Sequence, residues 1–323
     1  MEIKRKRFMI GKNPVQNFYR ASAKDFKKIP GSPVAYWASG KVIKCFSENI
    51  LLKKIGFPKQ GMTTSDNERF LRQWFEVSID SIGFNKANLF EAKESLVKWF
   101  PYNKGGDYRK WYGNQSFILN YWNDGYEIKK FHEELNKTNQ GGRLKNQSLY
   151  FKESISWSFI SSAYFGVRYY QKGFIFDVAG SSLFPNKENF YRVLGLLCSK
   201  IGPYLLKVLN PTLNFQAQNI SALPYKIPGK LVIDKIEQQL ILYAKNDWNS
   251  YETSWDFTKL PLLEKDFKTE NIFTSYQNLR VHWQAMTSEM KRLEEENNRI
   301  FIEAYGLEDG KRFTNPVWLG KEK

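Results

Sequence analysis

The sequence predicts a mixed α/β (α+β) body followed by a helical, coiled-coil-like spacer. Two observations carry that expectation. Short β-rich runs alternate with turn clusters and helical patterns through the middle of the chain, and a long apolar seam with heptad spacing occupies its end. At 323 residues the chain also exceeds the usual single-domain size, so more than one unit is expected.

Taken in order, residues 1–48 mix lysines with Pro14, Pro30 and Pro33 and carry the aromatic run Val34-Ala-Tyr-Trp37. They read as a basic connector feeding a short helix at about 38–47. No complete periodic element precedes Asn17-Phe-Tyr, so this segment reads as the continuation of something larger. Residues 49–228 form the main body. Strand patterns lie at Phe117-Ile-Leu-Asn-Tyr, Ile155-Ser-Trp-Ser-Phe-Ile and Gly173-Phe-Ile-Phe-Asp-Val, with helical patterns at Tyr126 to Asn136 and Asn189 to Leu209. Pro224, Pro228 and Gly229 mark a boundary. Beyond it, in 229–323, Ile233, Ile236, Leu240 and Tyr243 give a helix over 231–245. The last helix, 271–305, has the strongest periodicity. Tyr276, Leu279, Trp283, Met286, Met290, Leu293, Ile300 and Ala304 fall on steps of three and four, broken by Asn297 at a core position where a polar side chain can fix register. The spacing favours packing antiparallel to the 231–245 helix or against another protein. The simpler alternative is an amphipathic helix lying on the body.

Composition sets further bounds. Hydrophobic residues make up 42% and charged residues 25%, the profile of a chain that buries a core in water. No window approaches the ~18 uninterrupted apolar residues of a membrane helix, so no membrane partner is expected. Met1 to Arg7 is charged but lacks a following apolar stretch, so it is not a secretory signal. Cys45 and Cys198 lie far apart in apolar stretches and read as buried thiols of a cytoplasmic protein. The net charge of +16 is unevenly spread. Residues 1–60 hold 14 Lys and Arg against 3 Asp and Glu, residues 61–228 hold 21 against 14, and residues 229–323 hold 14 against 16. A positive excess confined to the first two-thirds suggests a surface that faces a polyanion, although solubility alone also accounts for it.

Several chemistries find no support. His132 and His282 have no Ser, Cys or metal-ligand partner at a suggestive spacing. Gly105-Gly106 and Gly141-Gly142 lack the Lys-Ser/Thr ending of a phosphate-gripping loop; basic residues follow each pair instead. Asp124-Gly-Tyr-Glu127-Ile-Lys129 is only a loose version of a nuclease metal motif, so no metal is expected. Adenine methylation needs an Asn/Asp-Pro-Pro-aromatic loop that accepts the amine hydrogens and stacks on the flipped base. The nearest match, Asn210-Pro-Thr-Leu213, lacks both the second proline and the ring. No glycine-rich cofactor loop follows a strand, so no catalytic or cofactor-binding residue is expected here.

Other segments suit nucleic acid. Lys98-Trp-Phe-Pro-Tyr-Asn-Lys-Gly-Gly-Asp-Tyr-Arg-Lys-Trp-Tyr-Gly113 packs six aromatics and four basic side chains around a Gly-Gly turn. Lysine and arginine neutralise phosphates or contact guanine, asparagine matches adenine, and aromatic rings stack on displaced bases. Trp99 and Trp111 equally suit packing. Gly61-Met-Thr-Thr-Ser-Asp-Asn-Glu-Arg69 is a hydroxyl-rich turn that also serves as a helix start, capped by Ser65 or Asp66 with help from Glu68. Gly141-Gly-Arg-Leu-Lys145 is a glycine-hinged basic loop, or a solvated surface turn. Arg168 sits between Tyr164-Phe165 and Tyr169-Tyr170.

These stretches together resemble the C-terminal part of BREX phage-defence adenine-specific DNA methyltransferases, over most of the chain. The segments that carry the resemblance are Thr63-Thr-Ser-Asp-Asn-Glu-Arg-Phe-Leu-Arg72, Lys98 to Gly106 with Arg109-Lys-Trp-Tyr-Gly113, Gly173-Phe-Ile-Phe-Asp-Val-Ala-Gly180, Asn210-Pro-Thr-Leu-Asn-Phe-Gln216 and Asn298-Arg-Ile-Phe-Ile-Glu-Ala-Tyr-Gly-Leu307. Asn214 to Pro224 followed by a helix also looks like the end of a target recognition domain in Type I specificity subunits. The resemblance implies a target-recognition-domain-like body at 49–228, a helical spacer and docking region at 229–323, and a connector at 1–48 running from a methyltransferase domain outside the chain. That domain would hold S-adenosylmethionine and an Asn-Pro-Pro-Tyr loop, neither of which has a counterpart here. The partners implied are double-stranded DNA and the methyltransferase domain or other defence-system subunits. The expected DNA contacts are Thr64, Asn67, Arg69, Asn103, Lys104, Arg109, Lys110, Arg143, Lys145 and Arg168. The rival expectation is a protein-interaction module that docks other subunits through the heptad helix.

Overall fold

Serine alternates with large apolar residues from Ser154 to Ser158, and that alternation separates two cores. The computed structural model describes residues 21–138, 143–160, 164–229 and 233–308. The chain enters through α1 (Ala23–Phe26) and α2 (Gly40–Glu48), the latter capped by Ser39, which accepts from the Val42 N–H. Next come β1 (Ile50–Leu51), β2 (Gly56–Lys59), α3 (Asn67–Phe70), β3 (Leu71–Gln73), α4 (Leu89–Glu94), β4 (Trp99–Asn103), β5 (Phe117–Asn120) and α5 (Trp122–Lys137). The strands β6 (Ser154–Trp157), β7 (Val167–Tyr170), β8 (Ile175–Phe176) and β9 (Ser182–Pro185) follow. The chain ends with α6 (Phe190–Cys198), α7 (Ile201–Leu209), α8 (Ala217–Ser221), β10 (Pro224–Tyr225), α9 (Ile233–Asn249) and α10 (Ile272–Tyr305).

Two four-stranded sheets result. One runs β2-β9-β6-β7 with every pair antiparallel; the other runs β3-β5-β4-β8 with only the β4–β8 pair parallel. Successive side chains of a strand point to opposite faces. On the first sheet, Ile155, Trp157, Val167 and Leu183 therefore share the face that packs into the core with α6, α7, α9 and α10. Ser154, Ser156, Arg168, Tyr170 and Ser182 share the other. That polar face is buried against the end of β4, where Asn103 Nδ2 donates to Ser156 Oγ at 2.7 Å and to the Gly180 carbonyl at 3.0 Å. A second, aromatic core of Phe70, Phe100, Tyr102, Tyr150, Phe151 and Phe176 lies beyond it.

Several elements follow directly from local chemistry. Asn123, Asp124 and Gly125 all take left-handed φ, which Asn, Asp and Gly tolerate, so the regular part of α5 begins at Tyr126. The single helical pattern expected over 189–209 is two helices. Pro203 has no N–H for the Ser199 carbonyl and its ring would clash there, so the chain breaks at Ser199 and restarts with Pro203 in the first turn of α7. α10 ends at Gly306 in the left-handed conformation, whose N–H reaches back to the Glu303 carbonyl.

Pro224 opens β10, and Pro228 and Gly229 follow it without a change of core. One apolar cluster runs from Ile29 through α2, α6 and α7 to Leu240 of α9 and Phe301 of α10, so residues 29–46 and 233–307 share it with the body. The first twenty residues, expected in the connector, lie outside the described residues. The heptad seam of α10 divides in two. Leu293, Asn297 and Ile300 are buried on α6 and α9, and Asn297 Nδ2 donates to the Gly195 carbonyl at 3.1 Å. Tyr276 and Trp283 on the first half are exposed. Between Arg280 and Arg292, only Met286, Glu289 and Met290 are even half-buried.

Candidate nucleic-acid interface

The turn at 60–66 runs beside the end of β8. The Met62 N–H donates to the Phe176 carbonyl, and the Val178 N–H donates to the Met62 carbonyl. Ser65 takes a left-handed φ, and Asp66 then caps α3 by accepting from the Arg69 N–H at 3.0 Å. Asp66, rather than Ser65, is thus the cap. This geometry lifts Thr63, Ser65, Asn67 and Arg69 to the surface.

Two more segments meet that turn, at Lys104 and at the Arg143–Lys145 loop. Lys104, at the end of β4, donates to Asp177 Oδ2 at 2.7 Å and to Asn67 Oδ1 at 3.2 Å. The Thr63 N–H donates to the Arg143 carbonyl at 3.2 Å. Lys145 Nζ donates to Gln60 Oε1 at 3.3 Å. Asn67, Arg69, Lys104, Arg143 and Lys145 therefore converge on one edge of the molecule. Gly141 and Gly142, expected to hinge the Arg143–Lys145 loop, lie outside the described residues. Asp177 is the residue that sequence reasoning missed. It is buried, accepts from the Tyr102 hydroxyl at 2.6 Å and from the Ala179 N–H at 2.7 Å, and holds Lys104 in place. Burial and the Asp177 carboxylate push the Tyr102 phenol well above its usual range, so it stays a donor. The only signal in the sequence was one acid closing the apolar run Phe174–Phe176.

Five expected contacts are corrected by their surroundings. Thr64 is buried, with its hydroxyl on Asn67 Oδ1 and its carbonyl 3.2 Å from His132 Nε2. Asn103 lies in the serine seam described above. Arg168 has no solvent exposure and donates through Nη2 to Ser158 Oγ at 3.1 Å. Its placement follows from strand periodicity, which turns it to the same face as Ser156. Arg109 and Lys110 brace the body against the last two helices instead of joining the edge. The Arg109 guanidinium lies 4.7 Å from the Trp248 ring and 3.5 Å from Asp247, and Lys110 pairs with Glu294 at 2.8 Å. Glu294 also accepts from the Trp111 indole N–H at 2.6 Å.

The weaker motifs have structural partners as well. Glu127 accepts from Arg69 and Asn120, while Asp124 pairs with Lys129, so the two carboxylates serve different partners. The Gly105-Gly106 turn and the Asn210 turn are both engaged by the protein itself. An added Cβ on Gly105 would lie 2.5 Å from the Ala179 carbonyl, so the Gly-Gly turn is filled by protein. Asn210 spends its side chain on a turn, donating to Asn214 and Asn219 and accepting from the Thr212 N–H. Among the described residues, no helix is long and apolar enough to cross a membrane.

In class, the chain is a mixed α/β module that ends in a long helix. In sequence it is 36% identical over 308 residues to the adenine-specific methyltransferase PglX of Lacticaseibacillus casei (strain Zhang), covering 92% of this chain and 25% of that protein. It is also 36% identical over 302 residues to the adenine-specific methyltransferase BrxX of Escherichia coli O9:H4 (strain HS), covering 92% of this chain and 22% of that one. The chain corresponds to the C-terminal part of adenine-specific methyltransferases of this kind and spans about a quarter of their length. No family profile matches it. The Type IIL restriction-modification enzyme MmeI, solved in complex with DNA, aligns over 78% of this chain and 35% of its own with a TM-score of 0.34 and 13% identity.

Proposed function

We propose that this chain recognises double-stranded DNA for an adenine-specific methyltransferase of a phage-defence system, with S-adenosylmethionine and the methyl-transfer residues held outside it. The observation that carries this reading is the 36% identity to adenine-specific methyltransferases over 92% of the chain. The edge formed by Asn67, Arg69, Lys104, Arg143 and Lys145 supports it. Cations there can neutralise phosphates, while the hydroxyl and amide groups of Thr63, Ser65 and Asn67 can meet base edges. Binding to duplex DNA across a salt series tests the reading. Each phosphate contact contributes a slope of about −0.9 in log affinity against log salt, so three contacts give about −2.7. Arg143→Ala and Lys145→Ala should each flatten that slope by about one contact. A salt-independent affinity would sink the proposal.

A second reading rests on the exposed Ile272, Phe273, Tyr276 and Trp283 of α10, an apolar strip on a helix that elsewhere packs well. Its occupant would be the remainder of a methyltransferase of this kind, since the relatives are about four times longer than the segment matched here. If so, this chain and that remainder, produced separately, should associate in light scattering, and Trp283→Glu should abolish the complex. No association with the unaltered chain counts against this role.

A further inference from the structure

Asn67 stands exposed at the start of α3, yet its side chain is not free to turn. Two donors meet on its one carbonyl oxygen. The Thr64 hydroxyl donates to Oδ1, and Lys104 Nζ donates to the same atom at 3.2 Å. Both donors are rooted in the body. Thr64 is buried, with its carbonyl 3.2 Å from His132 Nε2. Lys104 is held by the buried Asp177 at 2.7 Å, and Asp177 is fixed in turn by the Tyr102 hydroxyl and the Ala179 N–H.

The chemistry of the partners settles which way the amide faces. An ammonium group only donates, so the Asn67 atom beside Lys104 is oxygen and not nitrogen. A carbonyl oxygen has two lone pairs, and Thr64 and Lys104 take both. Nδ2 is left with two N–H groups, and none of the described residues accepts from them. Asn67 thus presents a pair of donors to solvent beside the exposed Thr63, Ser65 and Arg69. The fold has already fixed that side chain, so binding does not have to arrest it.

Asparagine reads adenine by accepting from N6 while donating to N7. Here the acceptor half of the amide is used inside the protein, and adenine N6 would meet no lone pair. Guanine suits the half that remains, because its major-groove edge offers two acceptors, N7 and O6. Thymine offers one acceptor there, and cytosine a donor. We propose that Asn67 reads a guanine in the recognised site, with Thr64 and Lys104 as positioning residues that exclude adenine. Guanine reading presupposes the DNA role proposed above. Lys104 acts in it through Asn67, with its own charge paired by Asp177.

The test selects duplexes from a randomised pool with the full chain and its variants. The unaltered chain should enrich a site with one guanine that Asn67→Ala no longer prefers, a loss of about tenfold in discrimination there with the other positions kept. Asn67→Asp keeps an oxygen for Thr64 and Lys104 but turns an acceptor outward. The same position should then change from guanine to cytosine, whose N4 donates. Thr64→Val opens a lone pair on Oδ1, so adenine should be bound within about threefold of guanine at that position. Thr64→Ser keeps the hydroxyl and should keep the guanine preference, whereas a merely structural Thr64 would alter affinity for every sequence alike. A base other than guanine at the Asn67-dependent position overturns the proposal. So does a guanine preference that survives every substitution, or an equal weakening of all sequences by Asn67→Ala, as at a phosphate. If the unaltered chain binds no duplex at any salt concentration, the DNA role itself fails and guanine reading with it. Duplex binding without an Asn67-dependent guanine overturns guanine reading alone.

Discussion

Glu237 on α9 is fully buried, and neither of its carboxylate oxygens has a hydrogen-bond partner. It faces Gly195 of α6 and Asn297 of α10. A Cβ added at Gly195 would sit 2.2 Å from Glu237 Oε1 and 3.0 Å from Asn297 Oδ1, so only glycine admits the pair. Burial pushes this carboxyl up to about 9, which keeps it protonated and able to donate to Asn297. The folded state then holds a proton that an unfolded glutamate releases near pH 4.5. Folding stability should fall as pH rises from about 4.5 towards 9, by up to ~1.4 kcal/mol per pH unit from this group, and level off above. Glu237→Gln keeps the shape and the donor without the ionisation, so it should remove that slope and gain on the unaltered protein by up to about 2.8 kcal/mol between pH 6 and pH 8. Urea midpoints at pH 6 and pH 8 check this; parallel shifts in both proteins would show that Glu237 is not the group responsible. None of this was legible in the sequence. Helical spacing placed Glu237 beside the core residues Ile233, Ile236 and Leu240 without revealing that α6 and α10 would close over it. The burial of Arg168, expected at the surface as a DNA contact, was hidden for the same reason, because whether a charged side chain is covered depends on elements distant in the chain.

At the scale of elements, regular periodicity was readable and its partner was not. The span of α10 followed from the sequence almost to the residue, and Asn297, expected at a core position of the seam, is buried there. The seam did not announce that its first half would be covered only in part, with Leu279 buried and Tyr276 and Trp283 exposed. α9 starts at Ile233 and runs against the C-terminal half of α10, so apolar residues N-terminal to Leu293 on the seam face solvent or the segment at 261–267. The two halves should respond differently to truncation. Leu293→Ala or Phe301→Ala removes buried side chains and should cost about 2–5 kcal/mol. Tyr276→Ser and Trp283→Ser should change stability by no more than about 0.5 kcal/mol. Chemical unfolding distinguishes these cases, and a large loss at Trp283 would mean that the first half is packed after all. The break between α6 and α7 was also written in the sequence, at Pro203, which a purely apolar pattern overrides.

For the whole molecule, charge and composition pointed to an edge where basic segments meet, and the structure gathers half of the expected residues there. The others are drawn inward because the chain needs cations elsewhere: Lys110 neutralises a buried glutamate, and Arg109 covers an indole. The apolar core that binds α2, α6, α7, α9 and α10 together implies cooperative unfolding. Fluorescence from the buried Trp111 and Trp157 and far-ultraviolet circular dichroism should lose signal at one denaturant midpoint. Separate midpoints would reveal that the last two helices form an independent unit.

The connection between α9 and α10 extends that reasoning. Trp255 packs among Phe84, Tyr170 and Phe174, and the Trp74 indole N–H donates to the Thr253 carbonyl, so this crossing is pinned to the body. Further along, Phe267 lies against His282, 4.9 Å between ring centroids. α10 spans about 51 Å at 1.5 Å per residue and is thus a beam with two footings. A partner seated on the exposed Trp283 would therefore bear on Trp255 as well as on the root at Leu293, and Trp255 packs under Tyr170, on the strand that carries Arg168.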